Sequence, residues 1–238
     1  MFGLRENITE IFAKMNLARM RSVYQQDVKL LAVSKTYAVD VIQSAYSYGL
    51  IEFGENRVQE ILAKKIALPS DIEWHLIGHL QTNKVKAVLP HVKLIHSLDS
   101  KSLADEIDKR AEEITKTASV LVEVNIAKED SKHGIYAEEL PDFLDYLTEK
   151  KHLRVEGLMT IAPYVRNPEE VRWVFKNLNY LFGNIKEMNY PNVSMNCLSM
   201  GMTNDYEIAI EEGANLVRIG SAIFGARKNG GEVNESSR

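Results

Sequence analysis

Lys35 closes the apolar run Leu30-Leu31-Ala32-Val33-Ser34, and helix-like sequence begins only a few positions later. An ammonium at the tip of a mostly buried strand is costly to desolvate, so it either reaches water or acts as an amine of depressed basicity. Near the far end of the chain lie Leu198-Ser199-Met200-Gly201-Met202-Thr203 and Val217-Arg218-Ile219-Gly220-Ser221. Hydroxyls and glycines there lead into helical sequence, where unpaired backbone N–H groups and the helix dipole bind a phosphate dianion. Amine and cradle together point to an aldehyde cofactor that carries a phosphate.

Each residue also has a plainer reading. A lysine at a strand end is ordinarily solvated, and both loops can be short turns with capped helices, Asn204 or Asp205 being the cap after Thr203. Arg218 lies within an apolar strand and needs an acceptor. That acceptor is either Glu55 or Glu123 in an internal salt bridge, or the ring nitrogen of a cofactor. Leu31, Val33 and Lys35 alternate onto one face, so Lys35 points wherever the two aliphatics point.

The elements that would position these groups recur along the chain. Short apolar runs begin near Lys29, Ile51, Ile72, Leu94, Ser119, Arg154, Val193 and Leu216, separated by stretches with apolar residues three and four apart. Eight strand-then-helix units predict a parallel sheet with crossover helices. At 238 residues a closed (β/α)8 TIM barrel uses the whole length, an open doubly wound sheet being the rival. Residues 1–25 read as an extra N-terminal helix, 1–227 as one domain, and 228–238 as a frayed polar tail. In such a barrel, strand ends and the loops after them form one mouth. Ser34-Lys35-Thr36, Gly54-Glu55-Asn56-Arg57, Gly78-His79, Ser97-Leu98-Asp99, Glu123-Val124-Asn125, Met159-Thr160, Ser199-Met200-Gly201 and Arg218-Ile219-Gly220-Ser221 all fall at such ends.

Composition narrows the classes. The chain is 45% hydrophobic with a net charge of -4 and no basic run, which argues against a general nucleic-acid binder. Asp105 to Lys116 mixes both signs at helical spacing, as a solvated helix face does. The single cysteine, Cys197, excludes an internal disulfide and reads as a small core residue. No apolar run approaches membrane-spanning length, so no membrane association and a cytoplasmic location are expected. His75 and His79 are four apart in strand-like sequence, and no carboxylate completes a metal-ligand motif, so no metal site is expected.

Several blocks carry a resemblance. Ala32-Val33-Ser34-Lys35-Thr36, Phe53-Gly54-Glu55-Asn56-Arg57-Val58-Gln59-Glu60, Trp74-His75-Leu76-Ile77-Gly78-His79-Leu80-Gln81-Thr82-Asn83-Lys84, Gly157-Leu158-Met159-Thr160, Leu198 to Met202 and Val217 to Arg227 stand in order. They resemble the YggS/PROSC family of pyridoxal 5'-phosphate homeostasis proteins. The resemblance implies the alanine racemase barrel (pyridoxal phosphate fold type III) without its β-rich second domain. It implies that Lys35 holds pyridoxal 5'-phosphate as an internal aldimine. Ser199, Thr203, Gly220 and Ser221 would hold the phosphate, Arg218 would face the pyridine nitrogen, and Met200 and Asn56 would lie near the ring. Thr203 stands where the common family form has serine, and the hydroxyl is retained.

A carboxylate beside the pyridine nitrogen would make the ring a strong electron sink, whereas Arg218 can only donate and disfavours that proton. Racemisation needs a second base opposite Lys35. Tyr37, Tyr164 and Tyr206 fall near strand ends, but no spacing sets one there. The expectation is therefore a monomeric carrier or regulator with little or no turnover, possible partners being pyridoxal-phosphate-dependent apoenzymes. An amino-acid racemase and a cofactor-free lysine aldolase are the alternatives. The polar loop from Ala127 to Gly134 would gate exchange, with Lys132 as a secondary amine or an ordinary solvated residue.

Overall fold

The computed structural model describes residues 3–225. Its strands are β1 (Lys29–Val33), β2 (Glu52–Glu55), β3 (Glu73–Leu76), β4 (Leu94–Leu98), β5 (Ala118–Glu123), β6 (Leu153–Met159), β7 (Val193–Met202) and β8 (Leu216–Ile219). Each begins within one residue of the position read from the sequence. All neighbours pair in parallel, and β1 meets β8 from Lys29↔Leu216 to Ala32↔Ile219. That pairing closes the sheet and excludes the open rival. The expected tail, 228–238, lies outside the described residues.

Strand alternation builds two apolar layers. Leu30, Ala32, Phe53, Val217 and Ile219 face the helices and belong to the main core. Leu94, Leu121 and Met159 pack in a second cluster, joined by Cys197. A Leu buried in either layer contributes roughly 1.5–3 kcal/mol. Helices cover the outside: α1 (Leu4–Arg21), α2 (Val39–Ser47), α3 (Val58–Lys64), α4 (Val85–Val88), α5 (Lys101–Glu113), α6 (Leu140–Thr148), α7 (Arg172–Glu187), α8 (Tyr206–Glu211) and α9 (Ser221–Phe224). On α5, Leu103, Ala104, Ile107 and Ala111 are buried while Arg110 pairs with Glu106 and Glu113 at 2.6 and 2.7 Å, the solvated face expected there.

The N-terminal helix ends at Arg21 rather than near residue 25. Ser22 stops it, because its hydroxyl accepts from the Tyr24 N–H and donates to the Glu211 carbonyl, both at 3.2 Å. Such local bonds compete with helix continuation. α1 braces the two elements that follow the suspected cradle. Arg21 bonds Glu207 and Glu211 of α8, and Asn7 donates to the Ile223 carbonyl of α9 at 2.9 Å.

Candidate functional site

A cavity of about 560 Å³ opens at the C-terminal ends of the strands. Lys35, Asn56, Thr203, Arg218, Gly220 and Ser221 all line it. Six of the eight residues expected at a site therefore converge, although they come from strands at opposite ends of the chain. A smaller cavity of about 300 Å³ lies among Lys29, Glu52, His75, Lys93 and Cys197, and holds none of them.

Lys35 is fixed by its neighbours in sequence. The Tyr37 N–H donates to the Ser34 carbonyl at 3.1 Å, forming a turn in which Thr36 takes φ +70°. This is where turns of type II favour glycine, and a β-branched residue there stores about 1–3 kcal/mol of strain. A buried network on the outer side of the barrel holds the turn. The Lys64 ammonium donates to the Ser34 carbonyl at 3.0 Å, and to Glu55 and Glu60 at 2.8 Å each. Glu60 in turn accepts from the Thr36 N–H at 2.8 Å, and the Ser34 hydroxyl donates to Glu55 at 2.6 Å. Burial pushes the Glu55 carboxyl up to about 7, against the lowering effect of Lys64 and Ser34.

Arg218 is buried, and its hydrogen bonds go to neutral acceptors. It donates to Ser199 Oγ at 2.6 Å and to the Thr160 carbonyl at 2.8 Å. Of the alternatives read from the sequence, the salt bridge to Glu55 is ruled out by parity, since Glu55 faces Lys64 outside the strands. Burial lowers Arg218 to about 10, opposed by the charges of Glu123 and Asp205, so it stays cationic at neutral pH. Behind it, Ser199 Oγ lies 3.1 Å from His96 Nδ1, and His96 Nε2 lies 2.9 Å from His75 Nδ1. Burial holds both imidazoles far below their usual range, to about 3 for His75, so both are neutral. Arginine only donates, which orders the chain of donors. Ser199 accepts from Arg218 and donates to His96, and His96 donates to His75.

The two turns expected to hold a phosphate lie beside these groups. α9 starts at Ser221, and Ile223 and Phe224 return their N–H groups to the Gly220 carbonyl. The N–H groups of its first residues precede any intrahelical acceptor and lie at the cavity edge. A Cβ on Gly220 would meet the Val33 carbonyl at 3.0 Å, so glycine lets this turn sit directly against β1. Gly78 serves likewise: a Cβ there would meet the Asn56 carbonyl at 2.6 Å. The Ser221 and Thr203 hydroxyls are 3.4 Å apart across the two turns. Asp205 caps differently from expectation, its carboxylate accepting from the Met202 N–H at 2.6 Å rather than from α8.

Two expected residues are elsewhere. Ser199 faces the barrel interior, but one layer beneath the mouth, with its hydroxyl engaged by Arg218 and His96. Met200 is fully buried in the strand–helix core. Alternation along β7 sends it outward, and Met202 reaches the cavity instead. Among the tyrosines, Tyr164 lines the cavity, the Tyr37 hydroxyl donates to the Gly225 carbonyl at 2.7 Å, and Tyr206 is buried, its phenol pushed up to about 12. Burial likewise pushes the Cys197 thiol up to about 12, in keeping with a core role. Lys132 stands 3.7 Å from Glu129, in a loop that Asn125 ties through both polar atoms of its side chain.

The cavity also contains Glu123 and His79, read from the sequence as strand-end residues of the mouth, and His133, within the loop expected to gate exchange. Glu123 is buried in its wall, and burial followed by the Asp99 charge pushes its carboxyl up to about 7. His79 and His133 line the rim. Asp99 comes within 3.4 Å of His79 and 3.9 Å of His133, so His79 does have a carboxylate neighbour, contrary to expectation. No local motif could have revealed it, because the three residues lie on three different loops.

Comparison with known proteins agrees with the barrel fold. The family profile described as alanine racemase, N-terminal domain, matches residues 13–228. The pyridoxal phosphate homeostasis protein of Aquifex aeolicus is 51% identical over 84% of this chain and 87% of its own. That of Helicobacter pylori is 40% identical over 94% and 99%. Among solved structures, PipY of Synechococcus elongatus with pyridoxal phosphate bound superposes with a TM-score of 0.81 at 31% identity, covering 94% of this chain and all (100%) of that one. Alanine racemase of Corynebacterium glutamicum, at 15% identity, shares the fold alone, with a TM-score of 0.64 over 92% of this chain and 62% of that one. By profile, sequence and fold, this chain belongs to the YggS/PROSC family of pyridoxal phosphate homeostasis proteins, within the alanine racemase N-terminal-domain group.

Proposed function

We propose that this chain binds pyridoxal 5'-phosphate in the cavity at the barrel mouth and acts as a carrier of it, with little or no turnover. The observation that carries this reading is that Lys35, Arg218 and the turns at Thr203 and Gly220-Ser221 share one cavity. The residues fit the group: one amine, one guanidinium able only to donate, and two turns with hydroxyls and glycine for a phosphate. PipY, of the same fold and family, has been solved with pyridoxal phosphate bound.

When bound, the cofactor supplies an aldehyde that condenses with a neutral amine, releasing water, and exchanges that amine for another. Lys35 is the resident amine, set by the turn that Lys64 and Glu60 hold from outside. Thr203, Gly220 and Ser221 would anchor the phosphate, and Asn56 would stand on the ring's side of the cavity. Arg218, braced by Ser199 and Thr160, would offer an N–H to the ring nitrogen and so disfavour a proton there. Ser199 and Met200 support from behind rather than touch the group. The protein works as a monomer in the cytoplasm and hands the cofactor to apoenzymes.

Borohydride reduction of the loaded protein, followed by mass spectrometry, should place the adduct on Lys35, and Lys35→Ala should lose the visible absorption band. A label on another lysine would overturn the assignment. A protein whose spectrum is unchanged by pyridoxal phosphate would favour the cofactor-free aldolase. Incubation with single enantiomers of amino acids should give no sustained inversion, and steady turnover would establish the racemase instead.

A further inference from the structure

We propose that His79, Asp99 and His133 form a binding site for a divalent transition-metal ion of the zinc class at the rim of the cavity. Among the described residues, they are the one set of three histidine, cysteine or carboxylate residues whose ligand atoms all lie within 4.8 Å of one another. They follow three successive strands, β3, β4 and β5, so the barrel alone brings them together. Both Nδ1 atoms turn to the same carboxylate oxygen, Oδ2 of Asp99, at 3.4 and 3.9 Å.

Those separations are too long for good hydrogen bonds, which fall near 2.7–3.2 Å. They approach the spacing of atoms that share a metal, since donors about 2.0–2.2 Å from tetrahedral zinc stand roughly 3.3 Å apart. The imidazoles lie stacked, with centroids 4.2 Å apart and planes 14° from parallel, so the exposed His133 ring must rotate about its side-chain bonds to aim its nitrogen at an ion shared with His79. Two nitrogens and one oxygen select zinc, cobalt or nickel over magnesium or calcium, which take oxygen ligands. Three protein ligands leave a coordination position open. Because His79 and His133 line the cavity, a bound ion would stand between it and solvent.

The test is zinc titration of tag-free protein by calorimetry, with Co²⁺ as the spectroscopic probe. Wild type should take one equivalent and develop the visible Co²⁺ bands of a nitrogen–oxygen site. Asp99→Asn and His133→Ala should each weaken zinc binding roughly 100-fold and abolish the bands, with the melting temperature in metal-free buffer unchanged. Binding by wild type no tighter than by the variants, or bands that survive both substitutions, would overturn the site. His133 is exposed, so its replacement leaves a folded protein to measure.

Discussion

The Lys64 ammonium donates to the Ser34 carbonyl at 3.0 Å, on the opposite side of the sheet from the cavity that Lys35 faces. The residue that holds the strand end before Lys35 is thus a buried cation on α3, paired with Glu55 and Glu60. Removing one member of a buried charged pair typically costs about 3–5 kcal/mol. Lys64→Met should therefore lower the melting temperature by roughly 10 °C, at about 2–4 °C per kcal/mol for a chain of this size. At a temperature where the variant is fully folded, it should still bind pyridoxal phosphate at least about tenfold more weakly, because the Lys35 turn has lost its support. Equal affinity measured by absorbance titration would show that the network serves stability alone.

Glu55 gives the fold a pH dependence of definite sign. Its carboxyl is raised to about 7 by burial, above its ordinary value of 4.5. Between these values the folded state holds a proton that the unfolded state has released, so stability is full below about 4.5 and declines as pH rises through 7. Denaturant titrations of wild type and Glu55→Gln should show the wild-type excess decline of roughly 1–3 kcal/mol across this window, with the variant's profile flatter. Parallel profiles would mean that Lys64 keeps Glu55 ionised throughout.

Ser199 passes the orientation of Arg218 to the histidines behind it. Ser199→Ala leaves one Arg218 donor and His96 Nδ1 unpaired in a buried site, at a cost of about 1–3 kcal/mol. Because the guanidinium is then less fixed, the absorption maximum of bound pyridoxal phosphate should also shift. Ser199→Thr, which keeps the hydroxyl, should restore the wild-type spectrum. A spectrum insensitive to both changes would remove Ser199 from any role in positioning Arg218.

A Cβ on Gly220 would press on the Val33 carbonyl at 3.0 Å. Gly220→Ala should displace the turn into α9 by a few tenths of an ångström and weaken pyridoxal phosphate binding about tenfold, at a smaller cost in folding stability, since near-attack and anchoring geometry are sensitive to such shifts. Competition by inorganic phosphate provides the check. If the turn holds the phosphate, the variant should lose sensitivity to it in parallel.

The eight strands were legible because each is a short apolar run closed by polar or small residues, and these runs recur at barrel spacing. Lys35, Asn56, Thr203, Arg218, Gly220 and Ser221 were legible as well. Each lies at a strand end or the turn that follows, where a parallel barrel gathers its functional groups. Met200 was misplaced because parity at the end of β7 depends on backbone detail: Gly201 takes φ +90° there, and the next residue turns to the cavity. The length of α1 escaped for a similar reason, a single serine hydroxyl competing for the backbone.

What the sequence determined by itself is the periodic pattern, and hence the barrel and the identity of the groups at its mouth. What only the tertiary structure decided is who meets whom across the sheet. Glu55 pairs with Lys64 rather than Arg218, His96 stands between His75 and Ser199, and Asp99 joins His79 to His133. Hydrophobic alternation is a local property that each segment carries with it. Polar contacts of a few ångströms between distant segments are fixed only when barrel closure sets strand register and loop path together.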